Sequence, residues 1–372
     1  MFYSTLAKFN WKTVEEAIIV TTLQAVERAL SKKENLNIED FAALISPAAV
    51  PYLEAMAKKS RDITLQRFGK AIQLYLPLYL SNDCENSCVY CGFNRGNNIE
   101  RKTLNASEIL AEIQAIKKLG PFEHILLVTG ENPSVAGVEY LANAVKLCRE
   151  HFSSVSIEVQ PLGTEEYASL AENGVTSVYV YQETYNEESY KRHHPRGKKS
   201  IFEHRLHTPD RVGLAGIRKI GIGALLGLEN WRVDSFFAAL HLKYLQETYW
   251  RSKFSVSFPR LRPFEGQNFD LCTPSDRELA QLICAYRICF PDVEISLSTR
   301  ESASFRDNVM LFGVTTMSAG SRTDPGGYTV SQNELSQWEI NDMRTPAEIE
   351  QKIRQNNYDP VWKDWDDVLL LT

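Results

Sequence analysis

Eight short β-rich runs, separated by helix-length segments, constrain this chain more than any other feature. They are IQLYLPLYL (72–80), HILLVTG (124–130), SVSIEV (154–159), TSVYVYQ (176–182), IGIGALLG (220–227), FSVSFP (254–259), VEISLS (293–298) and VTTMSA (314–319). Helical patterns lie between them, as in SEILAEIQAIKKLG (107–120) and VDSFFAALHLKYLQETYW (233–250). Strands that alternate with helices form parallel βα units, and eight such units are the number that closes a barrel. The expected fold is an α/β (β/α)8 barrel; its competitor, the open doubly wound sheet, usually has fewer strands.

The flanks differ in texture. Residues 1–70 read as a helical extension, with an apolar face in VEEAIIVTTLQAVERAL through Val14, Ala17, Ile18, Ala25, Val26, Ala29 and Leu30. Ser46-Pro47 fits an N-cap followed by proline at the first helical position, and Gly69 ends the next amphipathic stretch. No chemical motif occurs there, so a lid or support is expected. Residues 71–320 hold the barrel. Residues 321–372 form a C-terminal extension with a turn at RTDPGGY, a helix near 345–356 and an aromatic tail, DPVWKDWDD.

The 372 residues carry 41 Lys+Arg against 47 Asp+Glu, a net charge of −6. That balance supplies no basic footprint for nucleic acid and no polybasic patch for a membrane. No run approaches the roughly 20 apolar residues of a membrane helix, and MFYSTLAKFNWK lacks a secretory n-region and h-region. Seven cysteines, three of them clustered, suit free thiols or metal ligands in a reducing cytoplasm.

Cys84, Cys88 and Cys91 follow the first expected strand directly, which places them at the C-terminal face of a barrel, where such enzymes keep their active sites. The surrounding SNDCENSCVYCGFNRGNN is small and polar enough to bend round a bulky inorganic group. Three thiolates hold three corners of a [4Fe–4S] cube and leave one iron open. A zinc site would need a fourth ligand, and His124 is the first histidine or cysteine to follow, on another element. Chance burial gives three thiols no reason to share one polar loop.

C-x3-C-x2-C, with Tyr90 before the last cysteine, resembles the signature of the radical S-adenosylmethionine (SAM) superfamily, in which the open iron chelates SAM and the reduced cluster cleaves it to a 5′-deoxyadenosyl radical. Thr129-Gly130-Glu131-Asn132 resembles that family's turn for the methionine amino group. Gly223 to Glu229 resembles its adenine-side pattern, with Leu225 in the isoleucine place. YLPLYLSNDCENSCVYCGF, HILLVTGEN, EVQPL, VYQETY, SVSFPRLRP, LSTRES and PVWKDWD together resemble the 2-iminoacetate synthase family, tyrosine lyases of thiamine thiazole biosynthesis. The resemblance implies cleavage of L-tyrosine to 2-iminoacetate and p-cresol, a [4Fe–4S] cluster and SAM as cofactors, thiazole synthase as partner, and flavodoxin or ferredoxin as reductant. The last cysteine, Cys289, points away from the related branch that carries a second C-terminal cluster. A tryptophan lyase would share nearly every motif, and a cluster-bearing electron carrier or sensor is the non-enzymatic rival.

Under that resemblance, Glu158 accepts the ribose hydroxyls and Gln160, two residues on, faces the same side. Gln182 and Glu183 close the fourth strand, with Glu183 orienting Arg205, whose guanidinium suits the SAM carboxylate. Arg300 grips the α-carboxylate of the substrate and Ser321 is a further contact; a merely structural Arg300 would pair with Glu301. Tyr90 and Phe93 pack against adenine or cluster. Gly197-Lys198-Lys199-Ser200 is no phosphate loop, because Arg192 stands where its first glycine belongs, and Gly221-x-Gly223-x3-Gly227 is one residue too long for a dinucleotide fingerprint. KRHHPRGKK (191–199) reads as a solvated loop or subunit contact, with His193 and His194 structural, and Cys272, Cys284 and Cys289 as core thiols.

Overall fold

The computed structural model describes residues 1–262, 273–330 and 336–364. All eight expected strands are present: β1 (Ala71–Ser81), β2 (His124–Thr129), β3 (Ser154–Glu158), β4 (Val175–Tyr179), β5 (Lys219–Gly223), β6 (Lys253–Ser257), β7 (Glu294–Leu297) and β8 (Thr316–Ser318). Every neighbouring pair is parallel, and β1 pairs with both β2 and β8, which closes the sheet into a barrel. β2 is buried along its whole length, as expected of a strand covered on both faces. The open-sheet alternative is thereby excluded.

The strands end earlier than the apolar runs that mark them. Residues 180–183 and 224–226 leave the regular ladder yet stay joined by the single bridges Glu183–Ala224 and Leu226–Arg260. These extensions form the rim that carries most of the candidate site. A ninth strand, β9 (Asp359–Val361), pairs with the start of β1. The sequence gives little sign of it, being three residues long with a proline in the middle. Cys272 and the end of the aromatic tail lie outside the described residues.

The N-terminal extension is helical, but VEEAIIVTTLQAVERAL is two helices, Trp11–Ile19 and Leu23–Ser31, rather than one. The β-branched run Val20-Thr21-Thr22 interrupts it, and the Thr22 hydroxyl caps the second helix by accepting from Ala25 N–H at 3.3 Å. Ser46 is no side-chain cap: its hydroxyl donates back to Ala43 O at 2.7 Å, and Pro47 opens a 3-10 turn. Helix Leu53–Phe68 then ends at Gly69, whose φ is 64°. These helices pack against the barrel helices Trp231–Thr248 and Asp276–Cys289. Gln281 donates to the carbonyls of Leu44 and Ser46, both at 2.8 Å. The extension is therefore a support for the outer wall.

The C-terminal segment returns over the barrel. Asn341 and Asp342 N–H both donate to Thr299 O, at 2.9 and 3.1 Å. Arg306, fully buried, pairs with Asp342 and donates to Ser318 O of β8, while Arg344 reaches Asp342 Oδ2 at 2.7 Å. Among the described residues no helix is long and apolar enough to cross a membrane. Removing one member of a buried pair strands the other charge in a poor solvent. Asp342→Ala is expected to destabilise the fold by about 3 kcal/mol, seen as a lower urea midpoint.

Candidate active site

The loop after β1 holds its shape through polar side chains, without helix or strand. Asn82 is buried and brackets the loop: its Nδ2 donates to Glu100 O at 2.8 Å and its Oδ1 accepts from Lys102 N at 2.7 Å. The Arg101 guanidinium donates to the carbonyls of Asn82, Phe93, Asn94 and Asn97 at 2.7–3.2 Å. Asn94 donates to Cys88 O at 2.8 Å. A Cβ on Gly130 would lie 2.2 Å from Asp83 O, so the turn after β2 must carry glycine for the loop to pass.

Cys84 and Cys88 are buried and Cys91 is half-buried. Burial pushes all three thiols up, Cys84 to about 11, and negative charge adds to it, from Glu131 and neighbouring cysteines at Cys84 and Cys88 and from Glu183 at Cys91. Lys199 opposes the rise at Cys88 and Cys91. Side-chain amides already face two sulfurs, Asn86 Nδ2 at 3.7 Å from Cys84 Sγ and Gln337 Nε2 at 3.8 Å from Cys91 Sγ. Among the described residues no group of three or more His, Cys, Asp or Glu is arranged round a single metal ion. Three thiols on one constrained loop, with N–H donors and a cation supporting thiolate charge, fit a cluster bound by three corners.

Beside the loop a cavity opens in the barrel mouth, lined by Tyr79, Tyr90, Cys91, Glu158, Glu183, Leu225, Arg300 and Ser321, among others. Glu158 ends β3, and its carboxyl makes no hydrogen bond to a described residue; burial first, then Glu183, pushes that carboxyl up to about 7, against Arg300 and Arg205. Among the described residues Arg300 makes no ion pair. Its guanidinium stacks 4.0 Å from the Trp338 ring centroid, and Glu301 is taken instead by Arg260. Ser321 Oγ is buried without a partner. A cation, a hydroxyl and a raised carboxyl thus face one cavity with no hydrogen-bond or ion-pair partner among the described residues.

Tyr90 donates to or accepts from His194 Nε2 at 2.6 Å and packs against Leu225, Leu228 and Leu261. Phe93 is core, edge-on to Tyr79. Leu225 N–H donates to Glu183 O at 2.8 Å, tying the fourth and fifth strand ends together.

The remaining residues form a buried chain of charges. Glu131 accepts from Asn86 and from Arg205 Nη1, both at 2.8 Å. Arg205 Nη2 lies 3.5 Å from Glu183 Oε1, which accepts from Lys199 Nζ at 2.7 Å. Burial alone would raise Glu131, but Arg205 and Lys199 outweigh it and hold the carboxyl below its usual value. This chain of ion pairs is a wall: Glu131, Gln160 and Arg205 line a neighbouring pocket, and Lys199 lines both.

Gln160 therefore does not face the cavity of Glu158. Its Nε2 donates to Ala136 O at 2.8 Å and its Oε1 accepts from Thr129 at 3.5 Å, because the chain turns out of the ladder after Glu158. The run 191–199 is also not wholly solvated. Lys199 and His194 are inside, the latter between Tyr90 and Tyr190 O, while Cys284 is a buried core thiol and Cys289 is partly covered.

Four residues that sequence reasoning missed share the site: Lys199, Tyr79, Gln337 and Trp338. Only Tyr79 carried a signal, as an inward position of β1. Gln337 and Trp338 reach the cavity from the far end of the chain. Burial of Glu158 makes the folded chain hold its proton more tightly than the unfolded chain does. Stability of the cluster-free protein should fall as pH rises from about 4.5 to about 7. Glu158→Gln should flatten that part of a stability–pH curve measured by denaturant titration.

Residues 78–239 match the family model described as the Radical SAM superfamily, and residues 257–359 match the Biotin and Thiamin Synthesis associated domain. The chain is 48% identical to 2-iminoacetate synthase of Escherichia coli (strain K12), over 97% of this chain and 96% of that protein. It is also 48% identical to the enzyme of the same name from Salmonella typhimurium (strain LT2), over 96% of this chain and 95% of that one. The FeFe-hydrogenase maturase HydG from Carboxydothermus hydrogenoformans matches with a TM-score of 0.83 and 30% identity, covering 97% of this chain and 83% of HydG.

Proposed function

Because the chain belongs to the 2-iminoacetate synthase family within the radical SAM superfamily, we propose that it cleaves the Cα–Cβ bond of L-tyrosine to 2-iminoacetate and p-cresol. Its cofactors are a [4Fe–4S] cluster and SAM. The observation that carries the substrate reading is Arg300: a guanidinium facing the cavity, set over the Trp338 ring and unclaimed by any carboxylate among the described residues, beside a Ser321 hydroxyl with no partner among them.

Cys84, Cys88 and Cys91 would hold the cluster, and Glu183, Leu225, Tyr90 and Glu158 would line the SAM side of the cavity. Glu131 and Arg205, with Gly130 and Gln160 next to them, would act as part of the charge wall. When bound, cluster and SAM supply a carbon radical able to take a hydrogen atom from the substrate amine. The chain's own task is to fix the substrate. Arg300 receives the α-carboxylate by two parallel hydrogen bonds and Ser321 adds a third contact, so that the amine, not a random C–H bond, meets the reactive carbon. Arg260 holds Glu301 away from Arg300, which keeps the guanidinium free. Lys199 offsets negative charge at Cys88 and Cys91, and the barrel wall keeps water from the reacting centre.

Residues 1–70, 71–320 and 321–372 serve as support, barrel and closing segment. An imine product hydrolyses in water, which favours direct transfer to a thiazole synthase in the cytoplasm, with flavodoxin or ferredoxin supplying the electron. The test is anaerobic: the reconstituted enzyme with SAM, dithionite and L-tyrosine should yield 5′-deoxyadenosine, p-cresol and glyoxylate together. 5′-Deoxyadenosine without p-cresol would overturn the substrate assignment, with indole products from tryptophan marking the rival lyase. Arg300→Ala should raise the KM for tyrosine about 10- to 100-fold, the cost of a charged hydrogen-bond pair, while uncoupled 5′-deoxyadenosine formation persists.

A further inference from the structure

We infer that Gln337 is a positioning residue that ties the Cys91 thiolate to the wall of the substrate cavity, so that the cluster's reduction potential depends on this side chain and responds through it to tyrosine. The identities of the ligands rest on the proposed function; the link between Cys91 and the cavity wall does not.

The amide of Gln337 spans two partners. Its Oε1 accepts from the Tyr79 hydroxyl at 2.7 Å, and its Nε2 reaches Cys91 Sγ at 3.8 Å. A thiolate can only accept, so the nitrogen must face the sulfur and the oxygen must take the phenol proton. The amide then has one orientation. The backbone leaves it little room to leave. Gly92 N–H donates to Gln337 O at 3.2 Å, and Gln337 N–H donates to Thr323 O at 3.0 Å. A Cβ on Gly92 would come within 2.7 Å of Ser336 O and 2.9 Å of Gln337 O, so the residue after Cys91 must be glycine for the segment to sit this close.

The next side chain, Trp338, stacks on Arg300 at 4.0 Å, and Asn341 and Asp342 pin the segment to Thr299 just before Arg300. One short strap therefore holds the cysteine loop with one residue and the carboxylate-binding arginine with its neighbour. Tyr79, Cys91, Arg300, Gln337 and Trp338 all face the same cavity.

Reduction adds negative charge to a cluster, and an N–H donor to a ligating sulfur stabilises the reduced form and raises the potential. A hydroxyl donating to the amide oxygen polarises that N–H further. Tyrosine seated against Tyr79 and Arg300 would press on both ends of this arrangement, so loading of the substrate cavity reaches Cys91 through one amide.

The test is an EPR-monitored redox titration of the reconstituted holoenzyme with SAM, with and without L-tyrosine. Gln337→Met keeps the side chain's length and removes both polar ends. It should lower the midpoint potential and abolish the tyrosine-induced shift of the wild type; a wild type without that shift would overturn the response to tyrosine. Tyr79→Phe keeps the N–H donor, so it should leave the tyrosine-free potential closer to that of the wild type while losing the shift. Gln337→Glu, a second variant should the first fold poorly, keeps the acceptor for Tyr79 and places an anion beside the sulfur, lowering the potential further. Iron content and melting behaviour like the wild type's establish that the cluster is loaded. A Gln337→Met or Gln337→Glu enzyme with a full cluster and wild-type potentials in both conditions would overturn the inference. If the wild type makes no p-cresol, the proposed function fails, whereas the potentials measured without tyrosine still decide the role of Gln337.

Discussion

The site depends on β1 being shared. Its 11 residues bond to β8 at one end and to β2 at the other, so a single strand closes the barrel. Pro77 sits beyond the last pair with β8, in the half that pairs with β2, and itself lines the cavity. Closure fixes where β1 stops, and the cysteine loop starts there. Without the ring there would be no mouth for Glu158, Glu183, Arg300 and Ser321 to share, because they come from the ends of β3, β4, β7 and β8 or just beyond them. Each lies far from the others in sequence and near in space for that one reason.

Within the mouth the governing problem is buried charge. Glu131, Arg205, Glu183 and Lys199 are all nearly enclosed, and ionised groups are costly to bury unless each has a close partner. They solve this by pairing with one another in alternation, which leaves them rigid and less available to a ligand. Arg300 and Glu158 are the exceptions. One stacks on an aromatic ring and the other carries a raised pKa, and both keep their binding capacity because no described residue has taken it. The contrast separates residues that build the site from residues that face what enters it. Glu183 spans both groups, held at a left-handed φ of 71° where its backbone bridges to Ala224.

Local patterns made much of this legible. The eight strand cores and the helices at 106–119 and 231–248 follow from periodicity, since an apolar repeat states which face is buried without reference to anything distant. The cysteine triplet was legible because all three thiols lie on one loop. Boundaries were harder: the break at Val20–Thr22 depends on a threonine cap that competes locally with continuing the helix, and the early strand ends depend on neighbouring strands. Gln160 was misplaced because strict alternation was carried past Glu158, where the ladder had already ended.

Residue type and spacing alone determined the number of βα units, the gathering of three cysteines on one loop after the first strand, and the presence of an arginine and a serine after the seventh and eighth strands. Those are properties of short segments, and short-range sterics and periodicity suffice to state them. Only the tertiary structure decided that Glu131 and Glu158 face different pockets, that Lys199 belongs to the charge wall rather than to solvent, and that Gln337 and Trp338 cover the cavity. Those depend on which distant backbones meet, and contacts of that kind leave no periodic trace in the chain that makes them.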